Sequence, residues 1–141
     1  MQHPSEMTPT ALLCTREGLG LSMTDLGAVL GLDAGDAAGS AELWGSRRSR
    51  APLDPKTVRR WEQGTWPISE ASAAAFAALI AYTDEAVRAI VEAWQPGEPI
   101  VTYVDDESFH AAEPWAWRSL PASWHRAVVR RVKEQTGATI V

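Results

Sequence analysis

Apolar residues recur at helical spacing through most of this chain, and polar punctuation separates the runs. Thr8-Pro9 is a cap followed by a proline at the first helical position, which predicts a helix to about Glu17 with Leu12 and Leu13 on one side and Gly18 and Gly20 as its breakers. Ser22-Met23-Thr24-Asp25 has the spacing of a capping box, in which hydroxyl and carboxylate satisfy the free N–H groups of a helix start. The helix it opens carries Leu26, Val29 and Leu30 at i, i+3 and i+4, with Gly27 bare where another helix could cross closely and Gly31 as the expected stop. Asp54-Pro55 and Gly64 bracket a third, short helix whose only large apolar residues, Val58 and Trp61, share one face. A helix this short is not stable alone in water, so that face must pack, leaving Lys56, Thr57, Arg59, Arg60 and Gln63 to cover the rest.

Between the second and third helices lies a long connection, residues 32–53. Its first part, Asp33 to Ser40, is rich in Asp, Ala, Gly and Ser and reads as a loop; Ala41 to Trp44 suits a helical turn; Gly45 to Arg50 is a basic run. After Gly64, Ser69-Glu70 signals a helix bearing Phe76, Leu79 and Ile80. Thr83-Asp84-Glu85 either caps a fresh helix or interrupts one long one that carries Val87, Ile90, Val91 and Trp94. Gln95-Pro96-Gly97-Glu98-Pro99 is the clearest boundary and divides the chain into residues 1–95 and 96–141. In the second part, Ile100 to Val104 reads as a strand, Pro121 onward as a helix with Trp124, Ala127, Val128 and Val132, and Ala138 to Val141 as a last strand. Two strands and one helix bury too little to stand alone, so a second copy of the chain is the expected partner, with Trp115, Trp117, Trp124 and Val128 at the dimer interface.

Composition alters this picture in one respect. The chain of 141 residues is 45% hydrophobic with a net charge of −5, enough apolar material for a core, and its acidity argues against a general nucleic-acid binder. The distribution argues otherwise. From Trp44 to Gln63, Arg47, Arg48, Arg50, Lys56, Arg59 and Arg60 face only Asp54 and Glu62, so this stretch alone is +4. Arg and Lys can bond guanine or phosphate and Gln can pair with adenine, so the short helix has donors suited to a major groove, and the arginine run suits phosphates or a minor groove. Single Cys14 allows no intrachain disulfide and is expected in the core; the start has no secretory pattern and no apolar run spans a bilayer, so a cytoplasmic location without membrane contact is expected.

Three blocks in order carry a resemblance: Arg16-Glu17-Gly18-Leu19-Gly20-Leu21-Ser22, then Asp25 to Leu32, then Thr57-Val58-Arg59-Arg60-Trp61-Glu62-Gln63-Gly64. Together they resemble the Cro/C1-type helix-turn-helix family of phage and bacterial DNA-binding regulators, across about half of the chain. The resemblance implies a mainly α fold: a five-helix lambda-repressor-like domain, here with a long insertion in the turn, followed by a strand-helix-strand dimerisation tail. It also implies a third helix in the major groove, with Lys56, Thr57 and Arg60 towards bases and Arg59 and Gln63 towards the backbone. An ion pair between Arg16 and Glu62 is implied as a tie from the first helix to the third. Two departures stand out: Met23 occupies a position commonly held by Gln, and the turn is far longer than usual. The arrangement with a C-terminal tail is also similar to YdiL-type regulators and phage anti-CRISPR-associated repressors, which implies a homodimer repressing its own operon.

Other chemistry is thinly supported. Asp105, Asp106, Glu107, His110 and Glu113 read as a strand-end turn and a helix start in preference to a metal cluster, and His125 reads as part of a solvated basic face. No phosphate loop or nucleophile motif is present, so neither catalysis nor a cofactor is expected. The expected partners are double-stranded DNA carrying an inverted repeat and a second copy of the chain. The alternative class is an antitoxin-type module that sequesters a partner protein.

Overall fold

The computed structural model describes residues 2–38 and 51–141. Among them, the chain is mainly helical. Following a single turn at Pro4–Glu6, α1 spans Pro9–Gly18, its start capped by the Thr8 hydroxyl accepting from Ala11 N–H. α2 begins at Met23 under a complete capping box between Ser22 and Asp25 and runs regularly to Val29. α3 is Pro55–Glu62, α4 Glu70–Ala93, α5 Asp106–Ala112 and α6 Ala122–Thr136.

The expected stop at Gly31 is not a stop. The helix widens over Leu30–Ala34 and returns to regular winding over Gly35–Ala37, so the first part of the expected insertion loop is helix. A glycine ends a helix by turning left-handed, and Gly31 keeps a negative φ. Its lack of a side chain serves a close approach instead. A Cβ on Gly31 would lie 1.9 Å from the Ala51 carbonyl oxygen, and one on Gly27 would lie 2.4 Å from that of Leu53. The segment leading into α3 therefore crosses directly over the bare Gly27/Gly31 strip, fixed by the Leu53 N–H donating to the Gly27 carbonyl at 2.9 Å. Gly27 does admit a crossing element, but an extended segment and not a helix. Residues 39–50 lie outside the described residues, and with them the expected helical turn at Ala41 to Trp44 and the basic run.

Thr83 does not start a new helix either. Its hydroxyl donates back to the Leu79 carbonyl at 2.8 Å and accepts from the Trp124 indole N–H at 3.0 Å, so a residue that often caps helices is satisfied in the middle of one. α4 consequently runs unbroken for 24 residues.

The tail departs most from expectation. No strand forms among the described residues; Ile100 and Ile140 make one isolated parallel bridge, with Ile100 N–H donating to Thr139 and Val141 N–H to Ile100. Pairing this short leaves the tail to be held by side chains, and they reach α4. Tyr82 stacks on Trp117 with centroids 4.0 Å apart and on Trp124 at 5.7 Å. Trp124 and Val128 have no exposed surface, and both belong to the hydrophobic cluster that runs continuously from Leu12 to Ala138. The expectation that Trp124 and Val128 lie at a dimer interface is thus corrected, because both are used up inside one chain; Trp117 is partly buried against Tyr82. Only Trp115 stays about half exposed. The tail's missing partner surface is α4 of the same chain.

Candidate nucleic-acid interface

α3 is short and well bounded. Asp54 accepts from the Lys56 N–H at 2.8 Å, Pro55 occupies the first position, and Gly64 turns the chain at φ +73° just after the end. Val58 is completely buried and Trp61 nearly so. Burial of side chains this size stabilises by about 1.5–3 kcal/mol each, which fixes the rotation of the helix about its axis.

A second restraint comes from α1. The Arg16 Nε donates to Glu62 Oε2 at 2.7 Å and its Nη2 to Glu62 Oε1 at 3.0 Å, a bidentate pair, while Nη1 donates to the Leu21 carbonyl at 2.9 Å. The Glu62 carboxylate holds the Arg16 guanidinium further above its already high pKa against the opposing effect of burial, so it stays charged. All three faces of the guanidinium fork are engaged, and one side chain ties α1, the α1–α2 turn and α3 together.

With Val58, Trp61 and Glu62 turned inward, the other residues of α3 form one outward ridge. Lys56, Arg59, Arg60 and Gln63 sit at i, i+3, i+4 and i+7. Lys56, Arg59 and Gln63 are exposed, and Thr57 and Arg60 are half-buried. Glu62 is neutralised by Arg16, so the charged groups of the ridge, Lys56, Arg59 and Arg60, are all cationic. Arg60 is also held: its guanidinium carbon lies 4.1 Å from the centroid of the Trp66 ring, and the Thr65 and Trp66 N–H groups donate to the Arg60 carbonyl. This cation–π contact restrains the guanidinium, whose N–H donors have no hydrogen-bond partner among the described residues. Trp66 escaped the sequence reading. The signal was available in Gly64, whose left-handed turn sends the chain back over the helix it has just left.

Arg47, Arg48 and Arg50 lie outside the described residues. Among the other candidates, Cys14 is exposed and not in the core. The acidic tail residues do not assemble as ligands: Asp105 caps α5 by accepting from Ser108 N–H, Asp106 accepts from Ala122 N–H at the start of α6, and no group of three metal-ligating side chains occurs among the described residues. His125 is corrected as well. It is 2% exposed, bonded through Nδ1 to the Thr102 hydroxyl at 2.8 Å, and burial pushes its pKa down against the opposing pull of Glu113. No helix among the described residues is long and apolar enough to cross a membrane.

No protein-family model matches the chain, and no curated protein or solved structure matches it.

Proposed function

We propose that the chain is a sequence-specific double-stranded DNA-binding transcriptional regulator, in which α2 and α3 act as a Cro/C1-type helix-turn-helix and α3 enters the major groove. The observation that carries this reading is the outward ridge of Lys56, Arg59, Arg60 and Gln63 on a helix whose inner side is locked by Val58, Trp61 and the Arg16–Glu62 pair. A reading helix needs long donors on a fixed axis, because a bidentate contact to a base edge discriminates by about 1–3 kcal/mol only when its geometry is set beforehand. Lys56, Thr57 and Arg60 are assigned to bases, Arg59 and Gln63 to phosphates. The net charge of −5 keeps nonspecific attachment weak, so affinity has to come from this local face.

The regulator acts as a homodimer repressor on an inverted repeat, with half-sites about 34 Å apart or a multiple of that. Its dimer contact uses surface other than Trp124 and Val128, which the fold has already consumed. The test is selection of binding sites from a random duplex library by the purified chain, followed by footprinting of the DNA upstream of its own gene. A recovered inverted repeat that is protected in that footprint supports the reading; failure to enrich any sequence refutes it.

A further inference from the structure

A cleft of about 560 Å³ opens between the second half of α4 and the chain segments around residues 98–101 and 113–115. That volume falls within the range of small-molecule sites, and the walls are mainly apolar, with three aromatic side chains, Tyr82, Trp94 and Trp115, among them. Among the described residues, the charged groups lining it have one sign: Glu85, Glu98 and Glu113, with no Lys or Arg.

The three carboxylates are not equivalent. Glu85 is exposed and already pairs with Arg88, and Glu98 accepts from Gln95 N–H at 2.8 Å in its own turn. Glu113 is three-quarters buried. It accepts from the Trp115 indole N–H at 3.2 Å and the Tyr103 hydroxyl at 3.4 Å, both neutral donors. The nearest basic group is His125 Nε2 at 3.6 Å, which burial keeps towards its neutral form. A largely buried carboxylate thus faces an aromatic-walled space with no permanent cation beside it among the described residues. Aromatic faces and a carboxylate attract the same kind of ligand charge, and a positive group lying over an indole gains most where water is excluded. A bare metal ion does not suit the apolar walls, whereas a cation with an apolar body does.

We propose that this cleft binds a lipophilic organic cation, an aromatic small molecule whose single delocalised positive charge lies between the Glu113 carboxylate and the Trp115 ring. The site is independent of the reading of α3: it would stand if the chain bound no DNA.

Isothermal titration of the full chain with tetraphenylphosphonium, and separately with tetraphenylborate, tests the proposal, because the two ions share shape and differ in sign. The expected result is saturable one-to-one binding of the cation with no binding of the anion. Glu113→Gln keeps the size and an acceptor for Trp115, and should weaken the cation about tenfold; Trp115→Leu, at an exposed ring, should weaken it about fivefold. Circular-dichroism melts check both variants, and if Glu113→Gln does not fold, Trp115→Leu decides. Binding of both ions alike, unaltered binding by the folded variants, or no saturable binding of either tetraphenylphosphonium or the flat cation rhodamine 6G overturns the proposal. It is overturned equally if the chain is dimeric at assay concentration and accepts the cation only on dilution to monomer, since a second copy would then be the occupant.

Discussion

The Arg16–Glu62 pair offers the sharpest test of how α3 is held. Replacing Glu62 by Gln removes the charge and leaves Arg16 in a nearly closed site with only neutral acceptors, the Leu21 carbonyl and the amide oxygen of the new side chain. The side chains are only 11% and 6% exposed, so solvent repays little of the loss. Breaking a buried pair by removing one partner costs about 3–5 kcal/mol. Gln still accepts one hydrogen bond, which returns about 1 kcal/mol and leaves about 2–4 kcal/mol. On a chain of this length, each kcal/mol lowers Tm by about 2–4 °C, so a drop of at least about 4 °C is expected. Arg16→Met should cost a similar amount by stranding Glu62, whereas the double variant Arg16→Met/Glu62→Gln, which leaves no buried charge unpaired, should cost much less than the sum of the two. Urea unfolding followed by tryptophan fluorescence gives all three free energies and hence the coupling. A coupling of about 2 kcal/mol or more is expected. One below about 0.5 kcal/mol would refute the pair as the tie between α1 and α3.

Three further outcomes follow from the packing. Gly31→Ala puts a methyl group against the Ala51 carbonyl and should destabilise by about 1–3 kcal/mol, whereas Gly18→Ala, with nothing within 4 Å, should be neutral or stabilise by up to about 1 kcal/mol; thermal melts of the pair discriminate crowding from helix propensity. Thr83→Val removes the acceptor for the buried Trp124 N–H and should cost about 1–3 kcal/mol in urea unfolding, while equal stability would mean that the indole finds another partner. His125 has a folded pKa below its ordinary 6.5, so the unfolded chain binds the proton more readily. Stability should be full above about pH 6.5 and fall as pH drops from there through the lowered folded value, and pH-dependent melts of His125→Gln should show a shallower fall across that window.

The parts of the fold legible in the sequence were those specified by neighbours in the chain. Asp54-Pro55 and Gly64 bound α3, and Ser22/Asp25 bound the start of α2, because a cap is a local hydrogen bond. Val58 and Trp61 fall inward by helical period alone, and the pairing of Arg16 with Glu62 was reached through resemblance and not from spacing. The errors arise where tertiary contact overrides local preference. Gly31 and Thr83 have the identity of helix ends, but the crossing of Ala51 to Leu53 and the indole of Trp124 use them within helices. The tail's apolar alternation suggested strands, and its tryptophans an interface, because the sequence alone does not disclose that α4 offers them Tyr82 and Thr83. His125 beside arginines looked solvated because the neighbours that bury it, Tyr103, Phe109 and Glu113, come from other segments. Trp66 over Arg60 was the one site feature with a local signal that went unread.

The central claim is that the outer ridge of α3 reads base pairs. Fluorescence anisotropy of the chain on its selected operator and on random duplex, for wild type, Arg60→Ala and Arg59→Ala across a salt series, tests it most directly. Arg60→Ala should lose about 1–3 kcal/mol on the operator and relax the preference at one base pair, with little change on random DNA. Arg59→Ala should weaken both duplexes alike and reduce the salt slope by about one unit. Equal losses on operator and random DNA for both variants, or unaltered operator binding by Arg60→Ala, would contradict the claim.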